Sequence, residues 1–72
     1  MAASLLPIPD DPRFPQLVDL WPAWAAMGVL RSVWLKEYEG LLREFYPSAN
    51  SDSLTLTART AAPFYIARPN EP

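Results

Sequence analysis

SLTLTARTAAPFYIA, residues 53–67, is the stretch whose reading decides the fold. Leu54, Leu56 and Ala58 alternate with Thr55, Thr57 and Arg59. An apolar/polar alternation rich in β-branched residues predicts a β-strand over 53–60. FYIA at 64–67 predicts a second short strand, with Thr60-Ala-Ala-Pro63 as the turn. Pro63 is tolerated there because a proline at the start of a strand forfeits no central ladder bond. Before the strand, Ser48-Ala-Asn-Ser-Asp-Ser53 predicts a polar loop, and RPNEP at 68–72 a solvated tail. This hairpin makes the expected class α+β, mostly helical.

Working outward, residues 23–46 carry the strongest helical periodicity. At about 100° per residue, Leu30, Trp34, Leu41, Phe45, Met27, Tyr38, Leu42, Leu35 and Tyr46 fill one arc of roughly 160°. A surface helix needs a stripe of only about 100°. Ser32, Lys36, Glu39 and Arg43 define the opposite, solvated face, and Glu39–Arg43 has the favourable i,i+4 order. Pro47 ends the helix. Gly28 is a weak point, so residues 16–46 read as one long helix or two consecutive ones. Pro22 suits a first helical position, where its missing N–H costs nothing, and predicts a helix start there.

Residues 1–15, MAASLLPIPDDPRFP, contain Pro7, Pro9, Pro12 and Pro15. Each fixes φ and extends its predecessor, which predicts a Pro-rich arm. The expected organisation is thus an arm at 1–15, one small domain at 16–67 and the tail at 68–72.

Composition removes several functions. Seventy-two residues allow one small domain, and half are hydrophobic, too apolar for a disordered tail. There is no Cys and no His, so disulfides, thiolate sites, the commonest zinc ligand and the usual general base are all missing. The net charge of −2 comes with six cations, too few for the basic patch that phosphate binding requires. The apolar run Leu20–Leu30 is interrupted by Pro22 and falls short of a membrane span. The N-terminus has no cation ahead of its short apolar run, unlike a signal peptide. The expected location is the cytoplasm or a soluble assembly, a virion included.

No motif points to catalysis. Asp10 and Asp11 are adjacent, and on an extended segment they point apart. Glu37 and Glu44 share one edge of a helix, and Ser48, Ser51 and Ser53 have no base near them in sequence. Phosphate-loop, dinucleotide and EF-hand patterns are missing. The expectation is a non-enzyme with no cofactor, no metal and no small-molecule substrate.

Ala25-Ala-Met-Gly-Val29, Arg31-Ser32 and Tyr38-Glu-Gly-Leu-Leu42 together resemble the helix-turn-helix of MerR-type and excisionase-type winged-helix proteins. The resemblance covers about 15 residues plus the following ribbon at 53–67, which would be the wing. It implies DNA binding, with Arg31, Lys36, Arg43 and Arg59 as contacts. Against it, a recognition helix offers polar and basic groups to base edges. Here Arg31-Ser32 is followed by Val33, Trp34 and Leu35.

A two-stranded ribbon cannot cover a 160°-wide aromatic face. The expected function is therefore protein–protein interaction. An accessory subunit, adaptor or small inhibitor would dock Trp24, Met27, Leu30, Arg31, Trp34, Leu35, Tyr38, Leu41, Leu42, Phe45 and Tyr46 on another protein or on a second copy. Trp and Tyr suit such a role because they bury much area and keep a polar handle. Arg31 falls inside the apolar arc and should lie at its rim, with its stem on apolar surface. DNA binding is the alternative.

Overall fold

A computed structural model describes residues 3–65. In order they form α1 (Arg13–Ala26), α2 (Arg31–Phe45), α3 (Ser51–Ala61) and a 3₁₀ turn (Pro63–Tyr65). There is no strand among the described residues. The expected hairpin at 53–67, and with it the α+β class, is therefore wrong. The winged-helix resemblance loses its wing for the same reason. Ile66 and Ala67 of that hairpin, and the expected tail at 68–72, lie outside the described residues.

The physical reason is in the spacing. Leu54 and Ala58 are two alternations apart, but they are also i and i+4, one helical turn. They fit both periods, so only Leu56 separates them, and Leu56 is exposed. The buried positions of α3 are Ser53, Leu54, Thr57 and Ala58, which is helical spacing. The polar segment read as a loop is the helix start. Asn50 is the N-cap, and its side-chain oxygen accepts the Asp52 N–H at 2.7 Å. Asp52 adds a negative charge to the first turn. Thr60 bends its hydroxyl back to the Leu56 carbonyl at 2.9 Å, a bond that lets Thr sit inside a helix.

α1 also starts earlier than expected and runs through Pro22. Asp11 makes the start: its Oδ1 accepts the Arg13 N–H at 2.8 Å, and Pro12 takes the N-cap position. The break at Gly28 resolves the one-or-two-helix question as two. Gly28 has φ +83°. Its N–H donates to the Ala25 carbonyl and the Val29 N–H to the Trp24 carbonyl, each at 3.0 Å. This is a Schellman stop, which needs a left-handed residue and so favours glycine.

α2 is the central element and packs on both α1 and α3. Its inner face supplies Trp34, Leu35, Tyr38, Leu41 and Leu42 to the core, joined by Phe14, Leu54, Ala58 and Ala62. Trp34 is 0% exposed, and its indole N–H donates to the Leu17 carbonyl of α1 at 2.7 Å. Trp34 stacks on Tyr38 with centroids 5.1 Å apart, and Phe14 meets Tyr38 edge-on at 5.3 Å. The α1 and α3 helices and the arm cover most of the aromatic face that a ribbon could not cover, while Phe45 stays exposed.

The arm, residues 3–12, is a built part of this core. Leu6 packs against it. The Ser4 N–H donates to Ser53 Oγ at 3.1 Å and the Leu6 N–H to Thr57 Oγ1 at 2.9 Å. The Tyr46 hydroxyl donates to the Pro7 carbonyl at 2.6 Å. The match is geometric. Two residues of extended chain advance about 6.6–7 Å, and one i,i+4 step of helix rises about 6 Å. Alternate arm amides therefore meet hydroxyls one turn apart.

Candidate interaction surface

The expected docking face divides in two. Trp34, Leu35, Tyr38, Leu41 and Leu42 are buried inside the chain, and Trp24 and Tyr46 are half-buried against the core. Met27, Leu30, Arg31 and Phe45 remain exposed. The periodicity identified the apolar face but not what covers it.

Met27 is 71% exposed and Leu30 68%, the largest values among the exposed large hydrophobic residues. Both flank Gly28 at the α1–α2 corner. The Schellman hydrogen bonds fix the backbone there, so the two side chains stand out from an ordered turn. Beside them Trp21, Ala25, Val29 and Leu30 line an open cleft of about 470 Å³. Arg31 lies at its edge, with its guanidinium 5.5 Å from the Phe64 ring centroid. The guanidinium rests over an aromatic ring.

Two other cations of the expected DNA set have defined positions. Arg43 was expected on the solvated face with Glu39. Instead its Nη1 donates to the Ala49 carbonyl at 2.8 Å and the Pro47 carbonyl at 3.2 Å, and its Nη2 to Ser51 Oγ at 3.3 Å. It clasps the α2–α3 connection. Arg59 is exposed on α3.

A second concavity runs between α1 and α2. It measures about 510 Å³, with Leu17, Leu20, Gly40 and Leu41 among its lining residues and Lys36 and Glu44 among the charged ones. Arg13 reaches across from α1 to Glu44 at 3.3 Å and to Asp11 at 3.1 Å. The hydrogen bonds from Arg13 hold the Asp11 carboxyl below its ordinary range, and the same pairing raises Arg13. Tyr38 is pushed upward by burial alone. Sequence reading missed Leu20 and Gly40 as surface features. Gly40 adds no apolar group to the periodicity of α2, and Leu20 lies before Pro22, outside the 23–46 arc.

No group of three or more Asp or Glu side chains is arranged to hold a metal ion among the described residues. No helix among them is long and apolar enough to cross a membrane. No protein-family model matches the chain, and no curated protein and no solved structure matches it.

Proposed function

We propose that the chain is a non-enzymatic protein–protein interaction module, an accessory or adaptor subunit that docks on another protein or on a second copy. The observation that carries this reading is the α1–α2 corner, where Met27 and Leu30 are exposed on an ordered turn. Single exposed apolar residues are ordinary on any protein surface. Two large ones flanking a fixed turn, next to an open cleft, would offer a partner a pre-formed apolar contact. The docking residues are thus Met27, Leu30 and Arg31, while the aromatic residues of α2 shape the core behind them. Long apolar side chains supply the contact area, and Arg31 at the rim supplies an ion-pairing group for a partner carboxylate.

The test is Leu30→Asp, examined by proximity labelling in the cells that make the protein. Circular dichroism checks the fold in parallel. The expected result is unchanged helicity with loss of a defined set of labelled neighbours. Unchanged labelling in a folded Leu30→Asp protein would remove the corner from the function.

A further inference from the structure

Gly40 lies in the interior of α2, where glycine costs about 1 kcal/mol relative to alanine. Nothing inside the chain requires it. Its φ is not positive, and a Cβ added there would meet no atom within 4 Å. The missing side chain instead opens the groove between α1 and α2. The same outer face of α2 carries Val33, 45% exposed, and the groove is lined by Leu20 of α1, also 45% exposed.

Among the charged residues that line the groove, Arg13, Lys36, Glu37 and Glu44, one pair stands symmetrically about Gly40 with opposite sign. Lys36 stands four residues before it and Glu44 four residues after. Among the described residues Lys36 has no ion-pair partner, whereas Glu44 is bonded to Arg13. We infer that this groove takes the α2 helix of a second copy, antiparallel, with the two Gly40 residues facing each other across a two-fold axis. In that register each residue meets the one equally far on the other side of Gly40. Lys36 of each copy then meets Glu44 of the other, twice per dimer, about 6 Å on either side of the axis. Arg13, Glu44 and the incoming Lys36 form a charge cluster at each end. The absence of a Cβ at the centre lets the helix backbones approach closely. Exposed ion pairs contribute little each, so the association is weak and falls as salt rises.

The inference rests on the interaction-module reading but uses a different surface from the Met27–Leu30 corner, so the two can fail separately. Sedimentation equilibrium of the full chain, from micromolar to millimolar concentration, reads it directly. The expected result is a concentration-dependent dimer that Gly40→Leu abolishes with helicity intact, because the added side chain enters open space. Lys36→Glu and Glu44→Lys singly weaken the dimer about tenfold, and the double exchange restores it. Should Gly40→Leu disturb folding, the charge exchange alone carries the test. A monomer at every concentration overturns the inference. So does self-association that survives Gly40→Leu and the charge reversals and is lost only with Leu30→Asp; that outcome leaves the corner as the docking surface.

Discussion

α2 and α3 sit side by side in one core, yet different forces hold them there. α2 buries Trp34, Leu35, Tyr38, Leu41 and Leu42, a face made of apolar volume and stacked rings. α3 buries only Leu54 and Ala58 as apolar groups, and beside them Ser53 and Thr57. Those two hydroxyls hold the arm. One helix is fixed by the area it removes from water, the other by the polar groups it satisfies. The first kind of face needs a 3.6-residue apolar period. The second kind breaks that period, because a polar residue stands where the pattern calls for an apolar one.

The widest separation between the two helices should come from Trp34→Ala. It leaves a large cavity and removes the donor to Leu17, a loss of about 3–5 kcal/mol. A chain of this length has only roughly 4–10 kcal/mol in total. Thermal unfolding followed by circular dichroism should lose its cooperative step or shift far down. A Trp34→Ala protein melting close to the parent would refute the view of α2 as an apolar anchor.

Thr57→Val should act on α3 by another route. Shape is kept, so packing survives, but the Leu6 N–H loses its acceptor, at about 1–3 kcal/mol. Urea denaturation should register the loss, and hydrogen exchange should show a faster Leu6 amide. Thr55→Val, which leaves Thr57 and its bond to the arm in place, should stay within about 0.5 kcal/mol. Equal effects of the two variants would mean that the hydroxyl bond to the arm does not matter.

The smallest expected effect is alkaline and belongs to α2 alone. Burial raises the Tyr38 phenol above its ordinary value of 10.0. The unfolded chain therefore ionises first as pH rises. Its contribution to stability is complete below that pH and is lost as pH climbs through the folded-state value. Tyrosinate absorbance should show a late-titrating phenol that Tyr38→Phe removes. The hydroxyls of Ser53 and Thr57 do not titrate in this range, so α3 offers no competing source.

The same contrast explains what could be read in advance. α2 was legible, inner face and C-terminal stop alike, because Trp34, Tyr38, Leu41 and Leu42 repeat as a helix repeats. The break at Gly28 was legible from the glycine. α3 was misread because Leu54 and Ala58 fit both periods, and the Thr residues supplied the β-propensity. One contrary signal was present in Asn50 with Asp52 two residues on, whereas Leu56 favoured the strand and only its exposure in the structure speaks against it. The start of α1 is less legible, because Pro22 suits a helix start as well as Pro12 does, and only the Asp11 side chain that accepts the Arg13 N–H separates them. For the docking surface, periodicity gives a face and not its neighbour. Trp34 and Tyr38 face the chain's own helices, while Met27 and Leu30 do not.

The arm's contacts also bear on the order of folding. Ser4 bonds to a residue 49 positions away and Leu6 to one 51 away. Nothing near the arm in sequence can substitute, because the hydroxyls it needs belong to the last helix. Such non-local contacts close a loop around most of the chain and are entropically late to form. During synthesis the arm is made before α3, so it is among the last segments to find its place. Until α3 emerges, Leu6 and the half-covered side of α2 stay open to water and to anything else that binds extended chain.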